Sequence, residues 1–246
     1  MPRKIAPIKI LTWVIAAGAP LLAMSFYFVQ QSGPHIMKLQ TTYGERKLMQ
    51  LPCNSLVYLE PRSSIEYDQD DWNDHRQIKL IGSASFEIEA GASPFYCETD
   101  FANVEITEGS FVLKNRALFK KINSYKKSIV ITSKNNKKQI ILEPYHTYYA
   151  IKNEPFKITK NENQSMPDPN LPESTFENAP LFEVITELEN QFDVKFGTEF
   201  IDLNQQFTGS FKHASLDGAL NDVFIPLSIR YNVEGKTIRL SSVSTY

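Results

Sequence analysis

The chain has 246 residues, enough for one or two ordinary domains, and its 42% hydrophobic and 12% aromatic content belongs to a core-forming protein rather than a disordered one. A formal net charge of −2 gives no overall pull toward nucleic acid. Two cysteines, Cys53 and Cys97, are too few for a disulfide-built scaffold or a cysteine-rich zinc site.

In chain order, the first predicted element is a membrane span. Ile10–Val29 reads ILTWVIAAGAPLLAMSFYFV, 20 residues without a charge. As a helix this run would reach ~30 Å, the thickness of a bilayer's hydrocarbon core. Arg3, Lys4 and Lys9 precede it, and polar Gln30 to Ser32 follow. The positive-inside rule then puts residues 1–9 in the cytoplasm and the C-terminus in the periplasm. A cleaved signal peptide, with small residues around Ala23-Met24-Ser25, is the rival reading.

From 41 to 151 the sequence predicts an all-β domain. Leu56–Leu59, Ile78–Ile81, Phe86–Ile88, Val104–Ile106, Phe111–Leu113, Ser128–Ile131 and Ile140–Leu142 are β-branched or aromatic runs separated by turn-forming clusters. Residues 152–172 change to a polar run punctuated by Pro155, Pro167, Pro169 and Pro172, the composition of a linker.

Residues 173–246 carry an internal repeat at an offset of 35: Ala179 matches Ala214, Leu181 Leu216, Ile185 Leu220, Leu188 Val223, Val194 Ile229 and Phe196 Tyr231. Each copy reads as strand, amphipathic helix, strand. The helical apolar faces are Leu181, Val184, Ile185 and Leu188 in the first copy, and Leu216, Ala219, Leu220 and Val223 in the second. The predicted fold class is therefore a single transmembrane helix followed by an all-β domain and a small α+β domain with two β-α-β repeats.

Thr42-Tyr43-Gly44-Glu45-Arg46-Lys47, Leu51-Pro52, Ser55–Leu59 and Ser63–Tyr67 resemble the start of the FecR periplasmic domain. Arg76-Gln77-Ile78-Lys79-Leu80-Ile81-Gly82-Ser83-Ala84-Ser85-Phe86-Glu87-Ile88 is similar to that family's next signature. Pro94-Phe95, Gly109–Val112 and Leu142-Glu143-Pro144 follow in the family's order. The last unit resembles the companion domain of Bacteroidota members, itself similar to the short N-terminal domain of secretins and TonB-dependent receptors. This resemblance implies a regulator of cell-surface signalling. Its partner would be the periplasmic signalling domain of a TonB-dependent receptor, and it would act on a sigma factor, indirectly or through another membrane protein. Localisation would be the inner membrane, single-pass. The sequence departs from the family in having nine residues before the apolar run where members carry a cytoplasmic anti-sigma domain. It also departs in Cys53-Asn54-Ser55, where Asp-Gly-Ser is usual, and in Gly82-Ser83-Ala84, where Gly-Glu-Ala is usual. A non-signalling structural or assembly module of an envelope complex is the alternative function.

Sites read from residue chemistry are few. Asp68, Asp70, Asp71 and Asp74 lack the glycine and distal glutamate of a calcium loop and read as a solvated turn. Nine basic residues and no acid lie between Lys114 and Lys138, either outward strand positions or an electropositive face for lipid headgroups or an acidic partner. Cys53 and Cys97 form a candidate disulfide in an oxidising compartment. His35, His75, His146 and His213 have no ligand spacing. No nucleophile elbow or phosphate loop is present, so no catalytic residue, metal or cofactor is expected. Phe207-Thr208-Gly209-Ser210-Phe211 and Thr237-Ile238-Arg239-Leu240 are the candidate partner-binding strands, by addition of a partner strand to an open edge.

Overall fold

The computed structural model describes residues 33, 35–152, 154–161 and 165–242. In chain order, fourteen strands come first: β1 (Ile36–Gln40), β2 (Lys47–Gln50), β3 (Leu56–Leu59), β4 (Ser64–Asp68), β5 (Arg76–Ile81), β6 (Ser83–Ile88), β7 (Phe95–Glu98), β8 (Ala102–Ile106), β9 (Gly109–Asn115), β10 (Phe119–Ser124), β11 (Ile129–Ser133), β12 (Gln139–Leu142), β13 (His146–Ile151) and β14 (Lys157–Lys160). A second group follows: β15 (Glu173–Pro180), helix α1 (Leu181–Phe192), β16 (Lys195–Gly197), β17 (Gln206–Lys212), helix α2 (Leu216–Phe224), β18 (Ile229–Glu234) and β19 (Thr237–Ser242).

The first group builds two seven-stranded sheets, ordered β1-β4-β5-β7-β8-β11-β12 and β14-β13-β10-β9-β6-β3-β2. All pairings in them are antiparallel except β5 with β7. Alternation puts one face of each sheet inward. In β5, Arg76, Ile78 and Leu80 are buried while Gln77, Lys79 and Ile81 are exposed. The shared core is rich in aromatic residues; Phe86 stacks on Phe111 at 4.4 Å, and Trp72 meets Tyr67 edge-on at 5.0 Å.

Two strands of the second sheet break the alternation. Ser83, Ala84, Ser85 and Phe86 of β6, and Ser110 through Leu113 of β9, are buried in succession. A strand buried on both faces has something covering its outer side. Here that cover is the second group, which packs against the outer face and buries the small side chains that point there.

The second group has its own core, in which Leu181, Val184, Ile185 and Leu188 of α1 meet Phe211, Leu220, Val223 and Phe224. The opening strands of the two repeats, β15 and β17, pair with each other antiparallel, with a bulge between Phe176 and Ala179. The closing strands, β16 and β18, flank β19.

The expected transmembrane architecture is corrected. Among the described residues no helix is long and apolar enough to cross a membrane. The longer helix, α1, has 12 residues, about 18 Å at 1.5 Å per residue against the ~30 Å a span needs. The described chain is mostly β-sheet with two short helices, so the predicted fold class and the single-pass inner-membrane localisation do not stand. The stretch that prompted them, Ile10–Val29, lies outside the described residues.

Candidate functional site

Helix α1 is amphipathic in an unusual way: it has two buried faces. Leu181, Val184, Ile185 and Leu188 enter the core of the C-terminal lobe, while Phe182, Glu183, Glu187 and Asn190 are also buried. Glu183, Glu187 and Asn190 recur at four- and three-residue spacing and share one side of the helix, with Phe182 next to them. That side lies on β9 and β10 of the sandwich.

The strand register explains why acids belong there. Lys121 of β10 is directly opposite Lys114 of β9. Like charges facing each other across an antiparallel pair repel and destabilise the sheet. Helix α1 lays an acid on each: Glu187 Oε1 receives Lys114 Nζ at 3.0 Å, and Glu183 Oε2 receives Lys121 Nζ at 3.1 Å. Both carboxylate side chains are only 5% exposed. Buried Arg116 lies 3.7 Å from both Glu187 and Glu60 and donates to the Pro61 carbonyl at 3.2 Å. The result is a charge clamp between lobes, in which two helix acids are held by three sandwich cations.

Its electrostatics are those of a paired site. Burial alone would raise the Glu187 carboxyl, but Lys114, Arg116 and Arg46 overcome it and hold the group well below the usual carboxylate range. For Lys114, burial acts to lower the ammonium, yet Glu187, Glu60 and Glu183 carry it above its ordinary value. Tyr149, beside Lys121 in the next strand, is pushed up by burial and by Glu183.

Around the clamp are apolar and neutral contacts. Phe182 packs on Phe119 with ring centroids 6.0 Å apart. Arg46, just before β2, donates to Gln191 Oε1 at 2.7 Å. The Gly44 amide donates to the Asn190 carbonyl at 3.1 Å. Gly44 has φ +66°, and a Cβ there would sit 2.8 Å from the Gln191 carbonyl oxygen, so the close approach of the lobes requires glycine. Beside the clamp is a cleft of about 340 Å³, closed on one side by the strap Pro167–Pro172 and floored by Leu48, Tyr58, Ser85 and Val112.

The structure treats the sequence-derived candidates unevenly. Phe207–Phe211 lies in β17, whose one strand partner among the described residues is β15, leaving its other edge without a strand. Thr237–Leu240 does not present an edge. It lies in β19, the middle strand of its sheet, with Lys195–Gly197 parallel on one side and Ile229–Glu234 antiparallel on the other. The expectation of strand addition there is corrected, because its backbone groups are already paired on both sides.

Cys53 and Cys97 are both free thiols, Cys53 exposed and Cys97 buried in the sandwich core, so the candidate disulfide is not formed. Arg76 Nη2 donates to Cys53 Sγ at 3.3 Å. Burial acts against the Cys53 thiolate, but Ser55 and Arg76 lower the thiol below its ordinary value. Burial pushes the Cys97 thiol up. In the acidic turn, Asp71 pairs with His75 Nδ1 at 3.0 Å, and no group of three or more metal-ligating side chains forms among the described residues.

Glu183, Glu187 and Asn190 are not among the sequence-derived candidates, and Lys114, Arg116 and Lys121 belong to the basic stretch read either as outward strand positions or as an electropositive face for lipid headgroups or an acidic partner. The one signal was the paired i, i+4 spacing of Glu183 and Glu187 against the basic run.

Comparison with known proteins covers both lobes. The model of the FecR protein family matches residues 37–123, and that of the FecR C-terminal domain matches residues 173–240. Two crystal structures of a proposed anti-sigma factor from Parabacteroides distasonis ATCC 8503, at 1.65 and 2.50 Å, are similar in fold. Each has a TM-score of 0.75 and 20% sequence identity, and the alignment covers 85% of this chain and all of the other. No curated protein matches the chain significantly.

Proposed function

Because the chain belongs to the FecR family, with both lobes matched in order, we propose that this signalling regulator receives its input from the signalling domain of a TonB-dependent receptor and passes it on to sigma-factor-dependent transcription. The observation that carries this reading is the edge of β17 that has no strand beside it among the described residues, its other edge being paired with β15. An extended segment of a partner could pair with that edge through main-chain hydrogen bonds, and exposed Thr208 leaves room beside it. The charge clamp gives the contact a route inward. Helix α1 connects β15, the neighbour of β17, to the sandwich through Glu183 and Glu187. A partner that shifts the β15–β17 ribbon therefore pulls on residues ion-paired to the other lobe.

The test is titration of the full chain with a purified receptor signalling domain, followed by amide exchange. Saturable binding with added protection at Phe207–Phe211, and none at Thr237–Leu240, is expected. Absence of binding at micromolar concentrations, together with unchanged receptor-operon transcription when the gene is deleted, would sink the reading.

A further inference from the structure

His213 follows β17 and reaches across to the sandwich. Arg46 Nη2 lies 3.2 Å from its Nε2, and Ser174 Oγ of β15 lies 3.0 Å from the same nitrogen. A guanidinium can only donate, so Nε2 must be the acceptor. The docked arrangement therefore requires a neutral ring with its proton on Nδ1. We propose that His213 is an acid-sensitive latch between the lobes: a neutral imidazole accepts from Arg46 and holds the lobes docked, and protonation of Nε2 replaces that bond with two facing cations and releases them.

The surroundings set the direction and the range. Burial, and then the charge of Arg46, bring the ring down to about 4, with Glu187 of α1 opposing weakly. Lys47, Glu60, Lys114, Asp168 and Glu173 line the cleft that His213 shares. The ring edge of Phe211 covers another side. A base with a depressed folded value stabilises the docked form above its free value and loses that contribution as pH falls through the interval between the two. Free histidine titrates near 6.5, so docking weakens by about tenfold per pH unit from there toward 4. The Glu187 carboxylate releases only below the ordinary carboxylate range, so the interval from 6.5 to 4.5 isolates His213. The exposed pair His75–Asp71 acts in the opposite sense: its histidine is raised by Asp71, which favours the folded form at acid pH.

The Gly44 amide reports opening directly, because its hydrogen bond to the Asn190 carbonyl crosses between the lobes. Its exchange protection in the full chain, corrected for intrinsic rate, should fall about tenfold per unit between pH 6.5 and 4.5. His213→Gln supplies an amide oxygen that accepts from Arg46 but does not titrate there, so its Gly44 protection should be flat with pH. Nitrogen-15 spectra of the wild-type ring at pH 7.5 should show Nε2 unprotonated. A flat wild-type profile, an equal fall in His213→Gln, or a protonated Nε2 at pH 7.5 would each overturn the latch.

Discussion

The two helices of the C-terminal lobe occupy equivalent places in the internal repeat yet have opposite surroundings. Both bury an apolar stripe in the same core, Leu181, Val184, Ile185 and Leu188 in α1, and Ala219, Leu220, Val223 and Phe224 in α2. The difference is on the other side. At the repeat's offset of 35, Glu183 of α1 corresponds to Gly218, Glu187 to Asp222 and Asn190 to Ile225. In α1 these positions are buried against the sandwich, whereas Asp222 and Ile225 are exposed. The shared residues make the lobe, and the unshared ones attach it. A repeat can keep its core and still give one copy a new role, because the faces of a helix are independent in sequence.

That contrast can be broken most severely at Glu187. Replacing it with Ala removes the carboxylate paired to Lys114 and leaves Arg116 with Glu60 alone, and denaturant unfolding should show a loss of about 3 kcal/mol. The same change at Asp222 in α2 should cost less than about 0.5 kcal/mol. The Glu187 pairing also fixes an acid limb. Its carboxyl is depressed when folded, so its stabilisation is complete above the ordinary carboxylate value of 4.5 and is lost as pH falls below it. Glu187→Gln should flatten that part of the stability profile, and a profile as steep as wild type would count against the clamp.

Next in size is the apolar contact. Phe182→Ala removes the ring that meets Phe119 and should cost about 3 kcal/mol, measured by thermal or denaturant unfolding. Its repeat mate, Asp217, has a first-turn position in α2, and its loss should cost less than about 1 kcal/mol. A smaller effect runs the other way. Ser215 caps α2 by accepting from the Gly218 amide at 3.1 Å, while α1 starts at Pro180 with no side-chain cap. Ser215→Ala should therefore cost about 1 kcal/mol, a loss with no counterpart in α1.

What could be read from the sequence follows from what is local. The alternation of Arg76–Ile81 and the apolar stripes of the two helices are visible within a few residues, because side-chain period follows backbone geometry. The repeat was visible for the same reason. The clamp was not, since Lys114 and Glu187 are 73 positions apart and their meeting depends on how one lobe docks on the other. In isolation, an i, i+4 acid pair on an amphipathic helix reads as a solvated face. Thr237–Leu240 misled in a related way. Its run looks like a terminal edge strand, but β16, some forty residues earlier, pairs with it in parallel, and parallel pairing leaves no short-range mark. The apolar run Ile10–Val29 lies outside the described residues, which comprise the sandwich and the lobe attached to it.

The most direct measurement is a double-mutant cycle across the clamp, with Lys114→Met, Glu187→Gln and the pair compared by denaturant unfolding. If α1 is held to the sandwich by this buried pair, the coupling should be about 1–3 kcal/mol favourable. A coupling indistinguishable from zero would mean that the charges merely lie near one another and that the lobes are joined by other contacts.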